Sequence, residues 1–141
     1  QAWFDRRRLS ANGAFLDCED DIDDICALLQ SWVTREREIV GRGPIFLLGF
    51  STGAAMALHA AARIRGLEGV VSFAGWLPRG SSTYHKLAAG CPTKRILFMH
   101  GDRDEIVNSE WLQRSGAQVV QDARLGGAEA EYRVLAGARH K

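Results

Sequence analysis

The chain has 141 residues, 46% of them apolar, with 18 basic and 17 acidic side chains and a net charge of +1. That length and apolar content predict a single compact domain, 1–141, and exclude the disordered class. Balanced charge leaves no electrostatic footprint for nucleic acid, and no apolar run approaches the roughly 20 residues that span a bilayer, so neither nucleic-acid binding nor stable membrane insertion is expected.

Cys18, Cys26 and Cys91 are odd in number and widely spaced, without a Cys-x-x-Cys pair. They suggest neither a disulfide framework nor a zinc site, and a reducing, cytoplasmic compartment is expected. The chain opens on Gln1-Ala2-Trp3-Phe4, so the lack of a leader carries no information about targeting.

Residues 1–16 mix Trp3 and Phe4 with the basic run Arg6-Arg7-Arg8 and the turn pair Asn12-Gly13, and read as loop. From Asp17 an acidic cluster leads into Ile22, Ile25, Cys26, Leu29, Trp32 and Val33. That spacing is one face of a helix, ending before Gly41 or Gly43. The acids do not form a calcium loop, since the turn glycine and the closing glutamate are missing, whereas acids in a first helical turn complement the macrodipole.

Residues 45–48, Ile-Phe-Leu-Leu, lie between Gly43-Pro44 and Gly49 and predict a strand buried on both faces, hence a central parallel strand. An alanine-rich helix follows over 52–65 with Gly66 as its stop. A strand at 70–73, a loop over 75–82, a short helix at 83–89 and a strand at 95–100 come next. A helix from Asn108 or Ser109 to Leu125 and a last strand at 131–135 complete the pattern. Strands alternating with helices predict an α/β fold, a mainly parallel sheet with helices on both faces.

The chemistry begins at Gly49-Phe50-Ser51-Thr52-Gly53, a G-x-S-x-G between an apolar strand and a small-residue helix. Such a strand-to-helix turn holds its serine in a strained conformation with the hydroxyl above the sheet. The same turn puts the Thr52 N–H at a helix N-terminus, where it can donate to an oxyanion. A serine needs a base, and the base an orienting acid, following in the order Ser, Asp or Glu, His.

Carboxylates follow the strand at 95–100 in Gly101-Asp102-Arg103-Asp104-Glu105, and a histidine follows the last strand in Gly137-Ala138-Arg139-His140. Of the four histidines, His140 alone lies past a strand that comes after the acid. His59 falls inside the second helix, His85 in a polar loop or short helix, and His100 ahead of the acid loop. No phosphate-binding glycine motif follows any strand, which sets nucleotide binding aside.

At these residues the chain resembles the carboxylesterase and acyl-protein thioesterase group of α/β hydrolases, including lysophospholipase-like proteins. The resemblance is carried by Trp3-Phe4-Asp5, Gly49 to Leu58, Gly75-Trp76-Leu77-Pro78 and His100 to Val107, in the family's order. It implies a serine hydrolase of carboxylic esters or thioesters acting through an acyl-enzyme, with no metal or cofactor. It assigns the catalytic acid to Asp104 rather than Asp102, which becomes a loop-structuring residue, beside Ser51 as nucleophile and His140 as base. It places Trp76 and Leu77, with Trp3 and Phe4, near the acyl pocket. Small-molecule or lipid acyl esters and thioesters, and S-acylated proteins, are the implied substrates.

The resemblance also marks departures. The family's N-terminal strands, its H-G-x-G-type loop with a second oxyanion donor and its final helix have no counterpart, so a truncated domain with an uncovered edge at 45–48 is expected. Two alternatives follow: an inactive hydrolase-like fragment that only binds, or a hydrolase of another bond, of peptidase or dienelactone type.

Overall fold

The computed structural model describes residues 19–140; Trp3, Phe4 and Cys18 lie outside them. The elements run α1 (Glu19–Val40), β1 (Phe46–Phe50), α2 (Thr52–Ala61), β2 (Gly69–Phe73), α3 (Ser82–Ala89), β3 (Arg95–Gly101), α4 (Ser109–Leu125) and β4 (Glu129–Leu135). Each helix begins as its sequence dictates. Glu19, Asp20 and Asp21 occupy the first turn of α1, where they meet the positive end of its dipole. The Asn108 side chain accepts from the Glu110 and Trp111 N–H groups at 2.8 and 3.3 Å, capping α4.

All strand pairs are parallel, in the order β1-β2-β3-β4. The α/β class and the parallel sheet are as expected; helices on both faces are not found among the described residues. Right-handed crossovers between strands that always step the same way put their helices on one side of the sheet. Burial follows that geometry. The row Leu47, Val70, Ile96, Ala130 faces the helices, and Val70, Ile96 and Ala130 are buried there. In the next row Leu48 is 71% exposed.

β1 is an outer strand of the described sheet, which is the uncovered edge expected at 45–48, and with Phe46, Leu48 and Phe50 exposed it is not the central strand buried on both faces. Its identity as a parallel strand still holds. The core lies between sheet and helices: Ile22 from α1, Met56 and Leu58 from α2, Leu87 from α3, Val119 from α4 and Phe98 from β3 belong to one buried cluster. Each such side chain contributes about 1.5–3 kcal/mol by leaving water. No described helix is long and apolar enough to cross a membrane.

A second polar assembly ties the helices together. Arg63, just past α2, donates to Glu19 and Asp23 of α1 at 2.9 and 3.1 Å and to Thr83 Oγ1 and Ser82 Oγ of α3 at 2.7 and 3.3 Å. His59 is fully buried beside it, with Nδ1 2.7 Å from Thr83 Oγ1.

Candidate active site

A parallel sheet delivers the ends of all its strands to one edge, and the loops leaving β1, β3 and β4 meet there. At the end of β1 the chain turns into α2 within one residue. Ser51 takes φ 55° and ψ −120°, a conformation that costs a non-glycine residue of order 1–3 kcal/mol and persists only where its surroundings enforce it. The enforcement is visible: the Ser51 N–H donates to Phe73 O of β2 at 2.9 Å, and the Ser51 carbonyl accepts from the Ala54 and Ala55 N–H groups at 3.0 and 3.1 Å. Gly49 has to be glycine, because a Cβ there would lie 2.3 Å from the Gly53 carbonyl oxygen.

A serine preceding a helix normally uses its oxygen to cap the first turn. Ser51 makes no such side-chain cap; its Oγ is instead 2.9 Å from His140 Nε2. The other ring nitrogen, Nδ1, is 2.7 Å from Asp104 Oδ2. Oδ1 of the same carboxylate accepts the Ile106 and Val107 N–H groups at 2.9 and 2.8 Å. The side chains of His140 and Asp104 are only 9% and 1% exposed.

Burial alone would raise the Asp104 carboxyl. The Val107 N–H, His140 and the Ile106 N–H together outweigh it and hold the group below the usual carboxylate value. An ionised Asp104 fixes the proton on Nδ1 and leaves Nε2 as the acceptor facing the serine hydroxyl.

Two loops must stay in register for this chain of contacts to form, and they brace each other. Asp102 N–H donates to Leu135 O at 3.2 Å and Arg103 N–H to Ala138 O at 3.0 Å. Asp102 Oδ1 accepts the Gly137 N–H at 2.6 Å. The loops pass so closely that a Cβ on Gly101 would lie 2.1 Å from Ala138 O. Asp102 thus bridges the acid loop and the histidine loop.

Thr52 is the first residue of α2 and half-buried, so its N–H is one of the helix donors that has no partner within the helix. Trp76 is half-buried on the loop leaving β2. Leu77, expected beside it at the acyl pocket, is 0% exposed and belongs to the buried core cluster. The chain is pinned there because Leu77 N–H donates to Ser115 Oγ at 2.7 Å and Leu77 O accepts from the Tyr84 hydroxyl at 3.2 Å.

The other histidines stand apart from the serine's contacts. His100 is buried, with Nδ1 2.9 Å from Gly101 O and Nε2 2.6 Å from the Tyr132 hydroxyl; His85 is exposed on α3. Sequence reasoning passed over Phe50, whose ring centroid is 4.8 Å from that of His140. The signal available was its place directly before the serine.

Comparison with known proteins gives this arrangement a setting. The fold is that of the α/β hydrolases: the chain superposes on crystal structures of Arabidopsis thaliana SOBER1 and of Zea mays acyl-protein thioesterase 2. Each has a TM-score of 0.73 at 21% identity and covers 99% of this chain, with 66% and 65% of those chains matched. The family model for phospholipase/carboxylesterase matches residues 1–141, and the chain belongs to that family.

Among curated proteins it is similar to lysophospholipase-like protein 1 of Mus musculus, 30% identical over 83% of this chain and 49% of that protein. It is also similar to acyl-protein thioesterase 1 homolog 1 of Dictyostelium discoideum, 26% identical over 99% of this chain and 60% of that protein. The chain thus spans about half to three-fifths of the length of these relatives.

Proposed function

We propose that the chain carries a serine-hydrolase site that cleaves carboxylic esters or thioesters, with Ser51 as nucleophile, His140 as general base and acid, and Asp104 as the group that orients the imidazole. The observation that carries this reading is the unbroken chain of contacts from Ser51 Oγ through His140 to Asp104. Ser51 Oγ attacks the acyl carbon while its proton passes to Nε2 of His140, and the carbonyl electrons become an oxyanion. The Thr52 N–H, at the positive end of α2, is the donor proposed for that oxyanion.

Collapse of this intermediate breaks the bond to the leaving alkoxide or thiolate, which takes the proton back from His140. Water then attacks the acyl-serine, giving its proton to the same nitrogen, and a second collapse frees the carboxylic acid and restores the serine. Ionised Asp104 stabilises the imidazolium at both stages. Each proton movement has its donor and acceptor among substrate, water and these side chains.

The names of the relatives, a lysophospholipase-like protein and an acyl-protein thioesterase homolog, favour lipid acyl esters and thioesters as substrates, S-acylated proteins among them. Trp76 is proposed to border the acyl chain. A panel of p-nitrophenyl esters, acyl thioesters and peptides assayed on the 141-residue chain tests this. Turnover of esters and thioesters, with a burst equal to the enzyme concentration and none in Ser51→Ala, is the expected result. Cleavage of peptides alone would redirect the assignment to a peptidase, and inertness of folded chain toward every substrate would leave only a hydrolase-like binding module.

A further inference from the structure

We propose that Phe50 is a positioning residue for His140, holding the imidazole by its face and stabilising the imidazolium that forms when Ser51 gives up its proton; this rests on the hydrolase reading of the same site. Phe50 and Ser51 are neighbours, yet they address the same ring from different sides. Ser51 Oγ meets the ring edge at Nε2, 2.9 Å away. The Phe50 ring lies 4.8 Å from the imidazole, centroid to centroid, with the planes inclined by 40°.

The strained backbone at Ser51, with φ 55°, is what makes this double grip possible. Phe50, still in β1, points to the sheet face away from the helices, while the reversal at Ser51 aims the next side chain at the same imidazole. Phe50 is supported in turn from β2: it pairs in register with Phe73, and the two rings stack at 5.6 Å and 23°. Imidazole, Phe50 and Phe73 thus form a short column across the strand ends.

The Phe50 ring thus contacts two other rings, Phe73 and the imidazole. An aromatic face carries negative charge density and attracts a cation within about 6 Å of its centroid. The imidazole becomes such a cation only as the serine proton arrives, and it does so with its side chain 9% exposed, where screening by water is weak. Asp104 fixes the ring at one nitrogen, and Phe50 fixes its tilt.

The test compares Phe50→Leu with Phe50→Tyr, and uses Phe46→Leu as a control. Phe46 lies on the same face of β1 and is also exposed, but four residues of strand, about 13 Å, separate it from Phe50. The expected kcat of Phe50→Leu is about tenfold below wild type, equivalent to about 1.4 kcal/mol, with KM within about twofold. Phe50→Tyr restores it and Phe46→Leu leaves it unchanged.

The second readout does not need turnover. The His140 ring proton in the NMR spectrum, assigned by its loss in His140→Ala, is expected to be displaced by the Phe50 ring current, to relax in Phe50→Leu and to keep its displacement in Phe50→Tyr. If Phe50→Leu does not fold, Phe50→Met takes its place. An unmoved His140 resonance in the aliphatic variant, or wild-type kcat, overturns the proposal. Failure of wild-type chain to react with a fluorophosphonate while the resonance does move defeats the hydrolase reading instead and leaves the ring contact standing.

Discussion

Besides the Tyr132–His100 pair, two aliphatic hydroxyls among the described residues lie within hydrogen-bond reach of an imidazole. At the strand ends Ser51 Oγ is 2.9 Å from His140 Nε2, and between the helices Thr83 Oγ1 is 2.7 Å from His59 Nδ1. By distance alone they are equivalent, so distance does not make a nucleophile. Thr83 is fully buried inside α3 and its oxygen also takes the Arg63 guanidinium at 2.7 Å. A lone pair that accepts from a cation is a poor donor of electrons to a carbonyl. Ser51 stands partly exposed on a strained turn, its imidazole is backed by an ionised carboxylate, and a helix amide lies next to it. The inner cluster fastens three helices, while the outer one has the arrangement that the proposed proton transfer to a group arriving from solvent requires.

The comparison breaks most visibly at the serine. Ser51→Ala is expected to lower ester turnover by about 10⁵ to 10⁶-fold, with unchanged circular dichroism. Asp104→Asn should follow at about 10³ to 10⁴-fold in kcat, because an amide at this position favours the wrong imidazole tautomer. Steady-state kinetics on natively folded protein decides both.

The inner hydroxyl should behave in the opposite way. Thr83→Val keeps the shape and removes the oxygen shared by Arg63 and His59, at an expected cost of about 1–3 kcal/mol in a urea titration, with kcat per folded molecule unchanged. A large loss of kcat at unchanged stability in Thr83→Val would erase the distinction between the two clusters.

The smallest effect is in the acid range. The Asp104 carboxyl titrates below its ordinary value in the folded chain, so as pH falls the unfolded chain takes up this proton first. Its contribution to stability is complete above the ordinary carboxylate value of about 4 and is lost as pH drops through the lower folded value. Urea midpoints measured between about pH 6 and 3 should therefore fall less in Asp104→Asn than in wild type.

Much of this is legible in the sequence alone. Helical spacing from Ile22 to Val33, short apolar strands and capping by Asn108 placed the elements nearly where they occur, since local periodicity and end signals are written in adjacent residues. The turn at Ser51 was legible because glycines on either side and an alanine-rich helix beyond it leave few other readings. What escaped was set by pairing between distant segments. An apolar run such as 45–48 reads the same whether both faces are covered or one is bare, so the bare face of β1 and the one-sided placement of the helices were hidden, whereas its uncovered edge followed from the family resemblance.

Leu77 escaped for a related reason: its two backbone groups are held by Ser115 and Tyr84, contacts that no local pattern announces. Arg63 was passed over in an apolar helix, although an arginine four residues after His59, with acids at both Glu19 and Asp23, marked a charge that needed partners.

Whether Ser51 is an activated alcohol is measured most directly by intact-protein mass spectrometry after reaction with a fluorophosphonate. One adduct per chain, mapped to the peptide bearing Ser51 and lost in both Ser51→Ala and His140→Ala, is the predicted result. A folded chain that stays unmodified, or an adduct that persists in Ser51→Ala, would contradict it.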